Sequence, residues 1–401
     1  MFKHLKTQKI PKRNGQGYIF VSKVLTDNGI TFFFVKFDIN GFKRYRIKAR
    51  VNLSKILNPD RKVSIYHLED YHELWEAFKK VTDREIPKEY EYITDLDKWN
   101  TRRIDYCFQT YSTDTETYID LFQRGNKPSR IPCIIPYKPE AAFKNHIRID
   151  DELRKSHKTG SVYFMGGKFK PVEDSKTEKR LHLGSVIINI YDKYNEMRAE
   201  KNRGKYTTEE IEQEKGVLRF EVQCLSRKID SIISNFNLYR TDENGNRVKD
   251  KRLRRFLRSD IAKSVILPMY EQICGTGDYY KKKDAIALIN IKEDLKPKQK
   301  QKLIDLINYL NGTGSGRTIW KELFKLKLKG NREREKMRDS IKALNDLEIN
   351  PITLKADYYI DELPSLYERI GNCFDSMGSV DVLTDDEIDD FLIDELEEDF
   401  E

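Results

Sequence analysis

The sequence predicts an α+β protein in which most strands precede the helices. Up to about residue 225 the chain carries short aromatic and β-branched runs separated by turn residues, a pattern typical of antiparallel strands. From Arg227 onward, apolar side chains recur at i, i+3 and i+4, which is typical of helices that pack on one face. The 401 residues are enough for two or three domains with buried cores.

Four regions are predicted along the chain. Residues 1–95 form a β-rich region with the strand-like runs GYIFVSKVL, ITFFFVKFD and KRYRIKARV, and with the helix-like run HELWEAFKKV. Residues 96–290 form a mixed domain, residues 291–375 a helical region, and residues 376–401 an acidic tail.

The mixed domain contains three predicted strands and an early helix. The strands are RRIDYCFQTY, RLHLGSVIINIYDK with a turn near Gly184, and GVLRFEVQCL. In the last of these, Leu218, Phe220 and Val222 alternate with Arg219 and Glu221, so one face is apolar and the other is charged. The helix DTETYIDLFQRG ends at a glycine.

Six later segments have helical spacing. They are KIDSIISNF, DIAKSVILPMYEQIC, KKKDAIALIN, PKQKQKLIDLINYLN, GRTIWKELFKLKLKG and REREKMRDSIKALNDLEI. Short helices joined by tight turns in a basic region indicate a helix-turn-helix or winged-helix module. A purely structural helical bundle is the alternative.

Charge is divided unevenly along the chain. The net charge is +8, but residues 377–401 hold 12 acidic and no basic side chains, which leaves 74 basic against 54 acidic side chains, or +20, for the rest. A net charge of +20 on the rest of the chain indicates a polyanionic partner, most simply nucleic acid. The predicted DNA-binding residues are Arg247, Lys249, Lys251, Arg252, Arg254, Arg255, Arg258, Arg317 and Lys321.

The acidic tail has three interpretations. It is disordered, binds a partner as an amphipathic helix, or folds back onto the basic surface as a mimic of DNA.

The composition also bears on localisation. No apolar run approaches the roughly 18 residues needed to cross a bilayer, and the N-terminus lacks an apolar signal segment. The five cysteines are scattered without a CxxC pair. This indicates a reduced, cytoplasmic protein with no zinc ribbon and no membrane partner.

Three polar residues in predicted strands are candidates for metal binding. Asp105, His182 and Glu221 would each be costly to bury unpaired. Gathered at one site, they would bind Mg²⁺ or Mn²⁺, which would polarise a phosphodiester for attack by a tyrosine. Alternatively, Asp105 forms a salt bridge with Arg102 or Arg103, and Glu221 with Arg219.

Motifs from Arg103 to Leu354 resemble a known family. RIDYCFQTY, LHLGSVIINIYDKYNEM, LRFEVQC, GDYYKKKDAIALI and REREKMRDSIKALNDLEINPITL follow one another as in the filamentous-phage gene II replication proteins and, more distantly, the plasmid Rep_trans initiators. Two departures stand out. Glu348 occupies the place of a family glycine, and the chain lacks the two histidines, separated by one residue, of a full HUH motif.

The resemblance implies a rolling-circle replication initiator. Such an enzyme nicks one strand at an origin, stays attached through a 5′-phosphotyrosine and rejoins the strand at termination. The implied fold is a degenerate HUH-like antiparallel sheet with flanking helices, followed by the winged-helix-like region. The implied partners are origin DNA, both as duplex and as displaced single strand, and a host helicase and polymerase; a homodimer is left open.

The nucleophile is expected among the tyrosines after Glu221, where the candidates are Tyr239, Tyr270, Tyr279 and Tyr280. Tyr270 is favoured because it lies on a predicted helix beyond the R-x-E-V strand, and Tyr279 and Tyr280, in the GTGDYY turn, are the reserve candidates. Tyr191 is expected to pack or to contact DNA, and Lys193 to position a phosphate.

Two other functions stay open. One is a non-catalytic origin-binding or repressor-like protein on a decayed nuclease fold, which the missing second histidine favours. The other is a mobilisation relaxase, although the chain lacks a three-histidine cluster.

Overall fold

The computed structural model describes residues 6–12, 15–39, 42–57, 71–125, 161–168, 182–198, 206–312, 317–319, 322–323, 325–326 and 331–377. Over these residues the chain mixes helices with small antiparallel sheets, so the predicted α+β class is confirmed. Two compact units are present. The first takes its described residues from 1–101, 236–261 and 376–377, and the second from 102–235 and 262–375.

The first unit contains a four-stranded antiparallel meander in which each strand pairs with the next. The predicted run at residues 17–25 is a strand only as far as Val21, because Ser22 caps a short helix by accepting a hydrogen bond from the backbone N–H of Leu25. The strands are β1 (Lys6–Lys12), β2 (Gly15–Val21), β3 (Ile30–Ile39) and β4 (Phe42–Val51).

Three helices accompany these strands: the first lies between β2 and β3, and the other two follow β4. Leu74, Phe78 and Val81 are buried at helical spacing, which explains why the predicted helix at residues 72–81 forms. The helices are α1 (Lys23–Asp27), α2 (Leu53–Leu57) and α3 (Tyr71–Thr82), and two 3₁₀ turns follow at Lys88–Ile93 and Leu96–Lys98.

The second unit is built on another antiparallel sheet, whose strand order is β5-β8-β7-β6. The strands are β5 (Arg103–Tyr111), β6 (Ser161–Lys168), β7 (His182–Asp192) and β8 (Val217–Leu225). The turn predicted near Gly184 is wrong, because β7 continues through this residue. The pairing of β6 with β7 is irregular at this same place: Met165 pairs with Ile187 and Gly167 with Leu183, so β7 has two more residues here than β6.

One face of this sheet is apolar and is covered by helices. Ile104, Phe108, Ile188, Phe220 and Val222 are all buried on it. The helix following β8 packs against β5, β7 and β8, and the helix following β5 packs against β6 and β7. The helices of this stretch are α4 (Thr115–Arg124), α5 (Lys193–Arg198), α6 (Thr208–Gln213) and α7 (Ser226–Asn235).

The chain then returns to the first unit and forms a two-stranded ribbon, β9 (Tyr239–Thr241) and β10 (Arg247–Lys249). The side chain of Asp242 closes the connection by accepting hydrogen bonds from the backbone N–H groups of Asn244 and Asn246. The sequence analysis did not predict this ribbon. A short 3₁₀ helix, Leu253–Phe256, follows.

The C-terminal part of the described chain is mainly helical, as predicted. The helix Pro297–Leu310 packs against the helices Lys282–Ile291 and Asn331–Asp346, and the short strand Tyr279–Tyr280 pairs with Glu362–Leu363. None of the described helices is long and apolar enough to cross a bilayer. The elements are α8 (Ser259–Cys274), β11 (Tyr279–Tyr280), α9 (Lys282–Ile291), α10 (Pro297–Leu310), α11 (Asn331–Asp346), β12 (Glu362–Leu363) and α12 (Tyr367–Ser376).

A buried carboxylate organises the basic segment of the first unit, residues 247–258. Asp250 is fully buried and accepts hydrogen bonds from Arg252 at 2.7 Å and from Arg255 at 2.8 Å. Burial alone would raise the pKa of Asp250, but the hydrogen bonds from the two arginines outweigh it and hold the pKa well below its usual range.

We expect Asp250→Asn to lower the free energy of unfolding by about 3 kcal/mol, because two partly buried arginines lose their counter-charge. The folded pKa is depressed, so the contribution is complete above the unfolded pKa of about 3.9 and is lost as pH falls below it. Urea unfolding between neutral and acidic pH measures both effects. Asp375→Asn, which breaks the exposed pair with Lys263, is the control and should cost less than about 1 kcal/mol.

Candidate functional site

The face of the second sheet that is opposite the apolar one carries a cluster of polar side chains. Strand alternation brings them to one side, and the register sets them in rows across β5, β8 and β7. One row is Cys107, Glu221 and Asn189, and the next is Gln109, Arg219 and Tyr191. We call this set, with Asp105 and Gln223, the polar face.

The carboxylate of Glu221 is the hydrogen-bonding centre of the polar face. It accepts from Gln223 at 2.6 Å, from Asn189 at 3.1 Å and from the hydroxyl of Tyr191 at 3.3 Å. A carboxylate at this distance from a hydroxyl is within reach to take its proton as a general base.

A guanidinium lies beside this pair. Arg219 stands opposite Tyr191 in the register of β7 and β8, and it donates to Oε1 of Gln109 at 2.5 Å and 3.1 Å. Burial opposes its charge, but Tyr191, Cys107 and Glu221 outweigh burial and hold the pKa of Arg219 above its usual value. Arg219 therefore keeps a positive charge next to the tyrosine.

Burial keeps the hydroxyl of Tyr191 and the thiol of Cys107 protonated. It raises the pKa of Tyr191 well above its ordinary value, although Arg219 partly opposes the shift. It also raises the pKa of the Cys107 thiol to about 12, so this cysteine is not a thiolate nucleophile at neutral pH. Tyr191 consequently needs a base before it can attack an electrophile.

A second cation lies where β7 ends and α5 begins. Lys193 is 95% buried, and its Nζ is 2.8 Å from Glu196 and 5.8 Å from the ring centroid of Tyr191. Burial lowers its pKa, while Glu196 opposes the shift. Nearby, Oε2 of Glu214 is buried without a hydrogen-bond partner within the described part of the chain, and burial raises the pKa of this carboxyl.

The three predicted metal ligands are not gathered at one place. Asp105 and Glu221 share the polar face as diagonal neighbours, with Cα atoms about 7–8 Å apart. Both oxygens of Asp105 accept from Arg103, at 2.5 Å and 2.7 Å, as the salt-bridge alternative predicted. His182 lies seven residues before Asn189, the partner of Glu221, or about 23 Å along β7.

The described residues do not form a ready metal site. No group of three His, Cys, Asp or Glu among them is placed to hold an ion. The carboxylate oxygens of Glu221 and Asp105 are already engaged by side-chain donors. The Mg²⁺ or Mn²⁺ implied by the resemblance stays a prediction, and we derive no step through it.

The favoured tyrosine, Tyr270, is a core residue. It is fully buried in α8, with its ring 5.9 Å from Phe122 and 5.7 Å from Phe220 between centroids. Its hydroxyl accepts from the backbone N–H of Leu366 at 2.9 Å and lies 3.5 Å from Oγ of Ser365. Burial raises its pKa well above the ordinary value.

The two reserve tyrosines differ from each other. Tyr279 is 1% exposed, and its hydroxyl donates to the carbonyl of Cys274. Tyr280 is half-buried, and burial followed by Glu362 and Asp278 raises its pKa to about 12. Tyr280 is thus surrounded by acidic groups, which repel a phosphate.

Much of the predicted DNA-binding cluster is tied to acidic residues. Arg252 and Arg255 hold Asp250, Arg258 donates to Asp260 at 3.0 Å, and Arg254 lies 3.5 Å from Asp97. These arginines help to build the first unit.

The cluster also has members at the surface. Arg247 and Lys249, on β10, are exposed, and Lys251 is half-buried. The guanidinium of Arg247 lies 4.3 Å from the ring centroid of Tyr239. Arg317 similarly lies over Tyr309, at 4.4 Å, and Lys321 lies outside the described residues.

Sequence analysis did not place Asn189 and Gln223 in the site, and it did not pair Tyr191 with Glu221. The polar alternation of β8 was visible in the sequence, but the neighbours of each strand were not. No family model, curated protein or solved structure matches this chain.

The burial of Tyr270 predicts a structural role for its hydroxyl. Tyr270→Phe should lower the free energy of unfolding by about 1–3 kcal/mol, because the N–H of Leu366 loses its buried acceptor. Chemical denaturation measures the change, with Tyr194→Phe on the surface of α5 as control. An unchanged midpoint would contradict this assignment.

Proposed function

We propose that this chain is a DNA-nicking and DNA-joining enzyme of the rolling-circle initiator class, with Tyr191 as its nucleophile. One observation carries the proposal. The hydroxyl of Tyr191 donates to Glu221 at 3.3 Å while the cations of Arg219 and Lys193 lie beside it. A tyrosine, a base and two cations are the groups needed for attack on a phosphodiester.

The reaction balances without an outside source of energy. Tyr191 gives its proton to Glu221 and attacks phosphorus, the bond from phosphorus to the 3′ oxygen breaks, and that oxygen leaves and takes up a proton. The products are a 5′-phosphotyrosine and a free 3′-OH. In rejoining, a 3′-OH attacks the same phosphorus and Tyr191 leaves as the hydroxyl again. Arg219 and Lys193 stabilise the charge on the phosphate oxygens.

The surroundings favour Tyr191 over the tyrosines chosen from sequence. Tyr270 and Tyr279 lie inside the core, and Tyr280 is next to acidic groups. Tyr191 combines a carboxylate partner, Glu221, with the cations of Arg219 and Lys193 beside it.

The arrangement of the motif strands also supports the proposal. The R-I-D and R-x-E-V motifs lie on β5 and β8, and the Y-D-K motif lies at the end of β7, with its lysine beginning α5; the three strands are neighbours in one sheet. The helices on its apolar face are compatible with the HUH-like architecture, and the packed helices α9, α10 and α11 are compatible with a winged-helix-like module. Glu348, at the family glycine position, has φ +64°, a conformation that favours glycine.

The proposed partners are origin DNA, as duplex and as displaced single strand, and a host helicase and polymerase. The exposed basic residues of the β9–β10 ribbon support a contact with duplex DNA, because a two-stranded ribbon enters the major groove. The same ribbon favours the second candidate function, a non-catalytic origin-binding protein. Nicking distinguishes the two functions.

A nicking assay tests the proposal directly. The full chain is mixed with supercoiled plasmid carrying its own gene's upstream region, with Mg²⁺, Mn²⁺ or EDTA. Tyr191→Phe should reduce open-circle formation by roughly a thousandfold or more, because the nucleophilic hydroxyl is lost. Tryptic digestion and mass spectrometry should find the nucleotide on the peptide containing Tyr191.

Tyr194→Phe is the matched control, since Tyr194 also donates to a glutamate, Glu212, but lies on the exposed side of α5. It should nick like the wild type. An adduct on Tyr270, Tyr279 or Tyr280 would reassign the nucleophile. Binding without any nick would favour the non-catalytic origin-binding protein.

The ribbon should contribute ionic contacts to duplex DNA. Arg247→Ala combined with Lys249→Ala should reduce the slope of log K against log salt concentration by about 2, since each phosphate contact contributes about 1. Fluorescence anisotropy at several salt concentrations measures the slope. Lys80→Ala, an exposed lysine of the same unit, should leave it unchanged. An unaltered slope in the double variant would exclude the ribbon from the interface.

A further inference from the structure

An exposed tyrosine ring lies at the end of β5, on the same side of the second sheet as Tyr191. Tyr111 is the last residue of β5 and is 63% exposed. Gln109, two residues earlier, bonds to Arg219, so strand alternation puts Tyr111 on the polar face as well. We propose that Tyr111 is a stacking platform for an unpaired base of the strand whose phosphate reaches Tyr191. This inference rests on the nicking function proposed above.

The register sets the separation of the two tyrosines. Tyr191 on β7 is in one row with Gln109 on β5, and Tyr111 is two residues further along β5. With strands about 4.8 Å apart and a rise of about 3.4 Å per residue, their Cα atoms are roughly 12 Å apart. A single strand held by its phosphate at Tyr191 can therefore cross the sheet and present a nearby base to Tyr111.

The ring of Tyr111 lies close to Gly216. Gly216 has φ +83°, and a Cβ there would lie 2.7 Å from Cε2 of Tyr111 and 2.9 Å from the carbonyl oxygen of Ser112. The N–H of Ser112 donates to the carbonyl of Gly216 at 2.8 Å, which extends the pairing of β5 and β8. Glycine at position 216 therefore leaves the space that the ring occupies.

The surroundings suit a nucleic-acid strand. Five large hydrophobic side chains are exposed among the described residues, and two of them, Tyr111 and Tyr359, lie at this end of the second unit. The hydroxyl of Tyr359 donates to Asp114, three residues after Tyr111. Lys215, next to Gly216, is exposed. Exposed aromatics beside a cation are typical of single-strand binding, because stacking accepts any base and the cation contacts the backbone.

Binding of the full chain to a fluorescein-labelled single strand of mixed sequence, and to the matching duplex, tests the platform. Tyr111→Ala should weaken single-strand binding about fivefold to a hundredfold and leave duplex binding unchanged. Tyr111→Trp should bind at least as tightly as the wild type, because a stacking ring is kept. Tyr92→Ala, which removes an exposed tyrosine of the first unit, is the matched control and should have no effect.

A 2-aminopurine in the strand gives a second readout. Its fluorescence falls on stacking, and Tyr111→Ala should restore it. Tyr111→Leu keeps an apolar side chain but lacks the ring, and it should lose as much single-strand affinity as Tyr111→Ala. The leucine variant therefore tests the platform even if the alanine variant folds poorly. Wild-type affinity in the leucine variant, or equal losses on single strand and duplex, would overturn the platform.

The failure of the platform and the failure of the nicking function are distinguishable. Tyr111-dependent single-strand binding by a chain that never nicks would overturn the nicking function and leave the platform standing. Nicking by a chain whose single-strand binding does not depend on Tyr111 would overturn the platform alone.

Discussion

The alternation of side chains along β8 is the constraint on which the second unit depends. Leu218, Phe220 and Val222 enter the apolar core, so Arg219 and Glu221 must emerge on the opposite face. β8 is also the strand to which both β5 and β7 are hydrogen-bonded. A shift of one residue in its pairing would send the charges into the core, so the hydrophobic side fixes the position of the polar side.

The polar face is costly to assemble, and its hydrogen bonds offset this cost only in part. Burial penalises the charges of Arg219 and Lys193; Tyr191, Cys107 and Glu221 offset the penalty for Arg219, and Glu196 opposes it for Lys193. Within the described residues, Oδ1 of Asn189 and Oε2 of Glu214 stay buried without a donor. Each such acceptor costs free energy, so this network is not arranged for stability alone.

The local periodicity of apolar residues predicted most strands and helices. The site was harder to predict, because it depends on which strands pair with each other. The strand at 30–38 and the helix at 260–274 follow from their own periodicity, whereas the strand order β5-β8-β7-β6 does not. Without that order, Tyr191 and Glu221, thirty residues apart, could not be paired from sequence. Similarly, Asp97, the counter-charge of Arg254, is distant in the chain and could not be paired with it from sequence. Asp250, in contrast, lies among the basic residues 247–258, so its pairing with Arg252 could have been predicted.

The proposed nucleophile lies on a central strand, which suits a reaction that runs in both directions. In the proposed reaction the same oxygen attacks during nicking and leaves during joining, so both steps would need the same alignment of Tyr191, Glu221 and the phosphate. Tyr191 is held by the pairing of β7 with both β6 and β8, which restricts its backbone more than a loop would. Lys193 begins α5 directly after the strand, so the same backbone positions the tyrosine and one of its cations.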